Sequence, residues 1–212
     1  MRLFVAIDLN DGARRALAAE QERLADELGR SSSLKWVGPD QMHLTLAFLG
    51  EIEKGRAAAV IDAMGRDIDE MAPFAIAIAG LGVFPPHGAP RVLWIGLSAG
   101  AREAIALQQR IVDRLGRIGI SLEERPFHPH LTLARWRQAR SVDRRRITAV
   151  ERGVEIARVE VDRVTLYESR LSSGGLTHTA VAHAPLGCHA PSVDGAPLVR
   201  GVRLEPDRAT RT

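Results

Sequence analysis

Two stretches of this chain, MHLTLAFLGEI at residues 42–52 and FHPHLTLARW at residues 127–136, spell the same pentapeptide, His-Leu-Thr-Leu-Ala, starting at His43 and again at His130. Side chains alternate faces along a β-strand, so His43 and Thr45 point one way while Leu44 and Leu46 point the other. The same parity separates His130 and Thr132 from Leu131 and Leu133. Each copy therefore predicts a strand that buries leucine on one face and offers an imidazole beside a hydroxyl on the other, same-face neighbours lying roughly 6–7 Å apart. A single histidine of this kind is ordinarily a hydrogen-bonded structural residue. A polar pair repeated inside two apolar strands resists a pure packing account and points to duplication.

The flanking sequence repeats in the same order. Residues 2–8 read as a buried strand, and Asn10-Asp11 supplies an N-cap for a helix with Leu17, Leu24 and Leu28 on one face, closed by Gly29. Extended chain follows through the first motif, with a turn at Gly38-Pro39. Helical spacing returns over 54–71 through Val60, Ile61, Met64 and Ile68. FAIAIAGLGVF and RVLWIGLS read as strands joined by a turn over Pro85-Pro86-His87-Gly88. A helix over 101–115, with Ile105, Ile111, Val112 and Leu115 apolar, then leads past Gly119 to the second motif strand. An Arg-rich helix over 142–152, one long strand over 154–171, the SSGG turn and a last strand in LTHTAVAHAPL complete the pattern. The expectation is an α+β fold of two similar lobes, with mixed or antiparallel sheets related by a pseudo-two-fold. Helices would lie on the outer faces, with a cleft between the lobes. Residues 1–187 are expected to form one bilobal domain, and the Gly/Pro-rich residues 188–212 an extended or mobile tail.

Composition narrows the setting. Hydrophobic residues make up 45% and charged residues 26% of 212, which is ordinary globular usage. Cys188 is the single cysteine, so an internal disulfide is excluded and a reducing cytoplasm fits. The N-terminus reads as a strand rather than a signal peptide, and Pro73–Pro90, the longest uncharged stretch, is too broken by Gly and Pro to span a bilayer. The expectation is a soluble cytoplasmic monomer with no membrane partner. Residues 1–95 carry 10 Lys+Arg against 13 Asp+Glu, whereas the formal charge of the whole chain is +3. Six arginines between Arg135 and Arg146 face only Asp143, so a positive field is expected just past the second motif. A solvated helix face is the plainer account of those arginines.

Two imidazoles and two hydroxyls in one cleft match what phosphodiester cleavage needs without a metal. With an ordinary pKa near 6.5, one imidazole can be protonated while its partner is neutral. In-line displacement at phosphorus puts the entering and leaving oxygens on opposite sides, suiting two histidines that face each other. Thr45 and Thr132 can hydrogen-bond the non-bridging oxygens.

At these residues the chain resembles the two-histidine phosphoesterases, whose signature is a pair of His-x-Thr/Ser-x motifs with x apolar. More closely it is similar to the RNA 2′,3′-cyclic phosphodiesterases, also called 2′-5′ RNA ligase-like or LigT-like proteins. The resemblance spans roughly residues 1–187, through RLFVAIDL, MHLTLAFLGEI, FHPHLTLAR and LYESRLSSGG. It implies His43 as proton donor to the leaving ribose oxygen and His130 as the base that activates water. It further implies Thr45 and Thr132 on the phosphate oxygens, no metal and no nucleotide cofactor. Its reaction opens RNA 2′,3′-cyclic phosphate ends, or small cyclic nucleotides, to 2′-phosphomonoesters, and the reverse direction is 2′-5′ RNA ligation. Arg135 matches a family arginine near the phosphate, yet strand parity puts an offset of five on the face opposite His130. Where the family commonly has Tyr-Thr in its last strand, this chain has His178-Thr179, so His178 is a candidate ribose or base contact. Phe4 and Phe48 are candidate base-stacking surfaces, with core packing as the competing role. His128 is assigned a supporting role.

Two other readings stand beside this one. His43, His128 and His130 could form a three-histidine zinc hydrolase site, which leaves the symmetric threonines without a purpose. The basic region could instead serve a non-catalytic RNA- or nucleotide-binding module.

Overall fold

The computed structural model describes residues 1–29, 33–66, 68–69, 71–122, 126–149, 154–172 and 175–187. Lobe 1 begins with β1 (Arg2–Ile7), α1 (Asp11–Glu27), the short β2 (Leu34–Trp36) and the motif strand β3 (Leu44–Glu51). α2 (Lys54–Met64), β4 (Ile68–Asp69) and the hairpin of β5 (Phe74–Phe84) with β6 (Val92–Ala99) come next. α3 (Ala101–Arg117) leads to the second motif strand, β7 (Leu131–Trp136), and α4 (Ser141–Ala149) follows it. β8 (Ala157–Val161), β9 (Arg163–Ser172) and β10 (Gly175–Gly187) close the order. No helix among the described residues is long and apolar enough to cross a membrane.

The strands run β4-β10-β9-β1-β3-β7-β6-β5-β8, with β2 on β7. Every pairing along this path is antiparallel except the two-residue β4·β10 contact, so the mixed character is confined to one edge. The two motif strands meet at the centre through one pair, Leu44 with Leu131. Outward from that seam, β1 and β6, β9 and β5, and β10 and β8 hold matching places, which is the expected pseudo-two-fold. The helices obey it too, since α1 and α3 are both 17 residues long, α2 contacts β9 and α4 contacts β5.

Apolar periodicity explains the layers. Leu17 and Leu24 of α1, Leu107, Ile111 and Leu115 of α3, and Leu44, Leu46, Leu131 and Leu133 of the motif strands are buried in one continuous core. The helices thus cover the leucine face of the motif strands, and alternation leaves the His/Thr face to the inside of the cleft. Asn10 caps α1, its Oδ1 accepting from the Ala13 N–H at 2.8 Å.

Several sequence expectations are corrected. The long strand over 154–171 divides at Asp162: β8 pairs with β5 in lobe 2, and β9 pairs with β1 in lobe 1. Because one residue joins strands near opposite ends of the sheet order, the sheet must curl until its edges approach, and the Leu186 N–H donates to the Asp162 carbonyl at 2.7 Å. The helix expected over 54–71 stops at Met64 with Gly65 as C-cap, and Ile68 falls in β4. Ile105 is exposed, because the buried ridge of α3 runs through Ala104, Leu107, Ile111 and Leu115. Residues 150–153, where the Arg-rich helix was expected to end, and the tail at 188–212 lie outside the described residues.

If the seam is the structural centre, Leu131→Ala should cost about 2–5 kcal/mol, the usual range for emptying a fully buried leucine site. Urea denaturation of the two chains at neutral pH would measure it.

Candidate active site

Paired residues of an antiparallel ladder point to one side, so Leu44 and Leu131 share the core face. Their neighbours His43, Thr45, His130 and Thr132 therefore all emerge on the other face, around the seam. Continuing the register sets His43 across from Thr132 and His130 across from Thr45. In a regular ladder the two histidines would then stand on the diagonal, about 7–8 Å apart at Cα.

Both motif strands carry a bulge at the same place. On β7, Trp94 pairs with Thr132 and the adjacent Leu93 with Ala134, so Leu133 is skipped. On β3, Ala6 pairs with Thr45 and Val5 with Ala47, so Leu46 is skipped. The extra residue flips the parity beyond it. Arg135 pairs with Val92, two residues from Trp94, and so shares the face of Thr132 and His130. The parity objection to Arg135 is thereby removed: a regular strand would have turned it away. By the same shift Phe48, paired with Phe4, shares the face of Thr45. The bulge at Leu133 is anchored, its carbonyl accepting from the Val37 N–H at 2.9 Å and from the buried Gln21 side chain at 2.8 Å.

Each histidine sits in an aromatic nest. Phe4 stacks on His43 at 4.8 Å between centroids, and Tyr167 stacks on Phe4 at 5.2 Å. His178 meets Phe4 edge-on at 4.9 Å and His43 at 5.5 Å, with its buried Nδ1 unpartnered. Opposite, Phe84 and Trp94 pack against His130 at 5.0 and 6.0 Å, and His128 lies edge-on to Trp94 at 4.8 Å. The Trp94 ring lies where a Cβ on Gly82 would be, 2.1 Å from the nearest ring atom, so only glycine fits there. Of the two candidate stacking surfaces, Phe4 is 3% exposed and packs beneath His43, whereas Phe48 is 69% exposed at the rim.

Hydrogen bonds select a tautomer. His130 Nδ1 lies 2.7 Å from the His128 carbonyl, which can only accept, so Nδ1 carries the proton and the neutral ring keeps its lone pair on Nε2. His43 has a matching backbone partner two residues upstream, at Gln41. Arg14 braces the approach to His43, donating to the Leu9 and Pro39 carbonyls at 3.1 Å each.

Burial holds His43 down at about 4, helped by the His178 and Arg14 charges and opposed by the Gln41 backbone and Asp8. Burial also lowers His130, opposed by its bond to His128 and reinforced by the His128 and Arg135 charges. His178 is lowered by burial as well. Without substrate both motif imidazoles therefore favour the neutral form, and a phosphate monoanion between them would favour protonating one.

Sequence reading missed one group. Asp8 Oδ1 accepts from the Tyr167 hydroxyl and Oδ2 from the Thr165 hydroxyl, each at 2.6 Å, while His183 Nδ1 lies 2.9 Å from the Thr165 oxygen. Burial and the bond to Asp8 push the Tyr167 phenol up, so it stays neutral with its proton committed. Asp8 lies in the RLFVAIDL stretch and Tyr167 is the only tyrosine, but nothing short of strand register brings them together.

The Arg-rich region is partly structural. Arg144 donates to the Pro85 carbonyl at 2.7 Å and the Gly88 carbonyl at 2.9 Å, tying α4 to the β5–β6 turn instead of facing solvent. A small cleft of ≈ 30 Å³ lined by Trp36, Trp136, Asp143 and Arg146 shares no lining residue with the imidazole site. Among the described residues no three His, Cys, Asp or Glu side chains are placed to hold a metal ion together, so His43, His128 and His130 do not form the alternative zinc cluster.

Duplicated strands presenting paired His-x-Thr faces to one cleft define a two-histidine phosphoesterase type of site. Residues 7–94 and 95–177 each match the LigT like Phosphoesterase family, one match around each motif strand, and the chain belongs to that family. A relative from Aquifex aeolicus, named RNA 2′,3′-cyclic phosphodiesterase, is 36% identical over 170 residues, covering 78% of this chain and 89% of the relative. The crystal structure of TT0787 of Thermus thermophilus superposes with a TM-score of 0.71 at 27% identity, covering 89% of this chain and 100% of that one. Escherichia coli LigT complexed with 3′-AMP gives a TM-score of 0.67 at 27% identity, covering 87% and 96%.

Because His43 titrates at about 4 when folded against an ordinary 6.5, the unfolded chain takes up its proton first as pH falls. Folding stability is thus expected to drop through that window and to be insensitive to His43 above it. Urea denaturation near pH 7 and near pH 5 should show a smaller acid penalty in His43→Gln than in the parent.

Proposed function

We propose that this protein hydrolyses RNA 2′,3′-cyclic phosphate ends to 2′-phosphomonoesters by acid–base catalysis with two histidines and no metal. The observation that carries this reading is the seam, which gathers His43, Thr45, His130 and Thr132 onto one face. His130, with Nδ1 committed to the His128 carbonyl, takes a proton from water through Nε2 as the water oxygen bonds to phosphorus. His43 gives its proton to the departing ribose 3′ oxygen as that P–O bond breaks. The Thr45 and Thr132 hydroxyls and the Arg135 guanidinium hold the non-bridging oxygens. Phe48 at the rim offers its ring to a base, and His178 lines the ribose side of His43. A ribose 5′-hydroxyl in place of water would give a 2′-5′ linkage by the same proton transfers.

Relatives bearing the name RNA 2′,3′-cyclic phosphodiesterase support the substrate class, and the E. coli LigT complex with 3′-AMP supports a nucleotide in the cleft. Small cyclic nucleotides share the reacting group and fall within the same reading. Residues 1–187 would act as one bilobal unit, and the lone Cys188 suits a monomer in a reducing cytoplasm.

The test is turnover of an oligoribonucleotide 2′,3′-cyclic phosphate with the regiochemistry of the product identified. His43→Ala and His130→Ala should each lower kcat by about 10²–10⁴ while binding persists, and the parent should show a bell-shaped pH profile that survives a strong chelator. A profile flat from about pH 5 to 9 with chemistry limiting, or activity lost to the chelator and restored by zinc, would sink the reading. Arg135→Gln should weaken kcat/KM by about 10- to 100-fold, as expected for one charge-assisted phosphate contact.

A further inference from the structure

The lobes match closely enough that their differences are informative. Ala6 pairs with Thr45 and Trp94 with Thr132, so two residues further along their strands Asp8 and Gly96 hold equivalent places. Lobe 1 has a carboxylate where lobe 2 has no side chain at all. Five residues past each histidine the contrast is reversed in sign: lobe 1 has the uncharged Phe48 and lobe 2 has Arg135.

Asp8 is built into its place. Both of its oxygens accept short hydroxyl hydrogen bonds, from Tyr167 and Thr165 at 2.6 Å, and Thr165 is fully buried. With the Thr165 proton given to Asp8, His183 must donate to Thr165 through Nδ1. None of these donors can leave the carboxylate to serve substrate without stranding it. The groups facing His43 are Asp8 just past β1, Arg14 from α1, His178 from β10 and the neutral Tyr167 from β9, with the Gln41 backbone hydrogen-bonded to the ring. Asp8 is the carboxylate in that set, and it favours the imidazolium. The charges facing His130 are His128 and Arg135, and both disfavour it.

We propose that Asp8 is a positioning residue that sets the direction of proton flow: clamped by Tyr167 and Thr165, its carboxylate keeps the acid on His43 and leaves His130 to act as base. This rests on the two-histidine reading above, and deepens it by saying why the two copies of one motif take opposite roles. Burial depresses both rings; at His43 the His178 and Arg14 charges add to it and Asp8 is the one charge that opposes them, whereas at His130 both nearby charges add to it.

The test uses the full chain and single-turnover hydrolysis of an oligoribonucleotide 2′,3′-cyclic phosphate as a function of pH. A proton donor must be charged, so His43 sets the alkaline limb; a base must be neutral, so His130 sets the acid limb. Asp8→Asn should move the alkaline limb down by about one pH unit, leave the acid limb in place, and lower kcat at neutrality about tenfold with KM nearly unchanged. Asp8→Ser, which keeps an uncharged acceptor, should move the same limb the same way and serves if the Asn variant does not fold. A uniform drop in rate with both limbs unmoved, or both limbs shifted together, would overturn the assignment and leave Asp8 a structural clamp. Failure of the underlying reading looks different: His43→Gln would then retain turnover, or the parent would lack two limbs, whatever Asp8→Asn does.

Discussion

The cross-strand pair of Leu44 and Leu131 is the contact on which everything else hangs. It is the single ladder position joining the two motif strands, it lies at the middle of the strand order, and both leucines are fully buried. Because paired residues share a face, burying these two leucines forces the flanking histidines and threonines out on the opposite side. Packing and the layout of the candidate site are therefore one constraint seen from two faces. The same leucine-versus-imidazole alternation that drives the strands into the core decides where the polar groups must emerge.

The bulges at Leu46 and Leu133 refine that constraint. A regular strand would have sent Phe48 and Arg135 to the core side, where a guanidinium could not be desolvated without a partner. One extra residue in each strand turns them toward the cleft, and the carbonyl freed at Leu133 is taken up by Gln21 and the Val37 N–H. A buried glutamine on an otherwise apolar helix stripe is thus explained by a bulge on a strand 112 residues away in sequence.

Electrostatics then breaks the symmetry that duplication created. Burial pushes both imidazoles toward neutrality, and the lobes place different charges around them: His178, Arg14 and the carboxylate of Asp8 at His43, His128 and Arg135 at His130. Aromatic shells of Phe4 and Tyr167 on one side and Phe84 and Trp94 on the other keep water from the rings and strengthen those charges.

Much of this was legible in the linear chain. The repeated pentapeptide settled strand parity, the pairing of residue types and the two-lobe order, because alternation is a property of any strand and duplication shows as spacing. Helix starts followed from local capping, as at Asn10. Local pattern could not reveal the break at Asp162, since the residues on either side read as strand, and only the curl of the sheet sends them to different lobes. It put Arg135 on the wrong face of its strand, because a bulge is a mismatch between two strands and has no mark in either alone. It passed over Asp8, Thr165, Tyr167 and His183, which come from opposite ends of the chain and meet only where β1, β9 and β10 stand side by side. Which side chains face together along a strand follows from the order of residues alone. Which strands are neighbours emerges only on folding, and with it which histidine has a carboxylate beside it, because charge acts across space rather than along the chain.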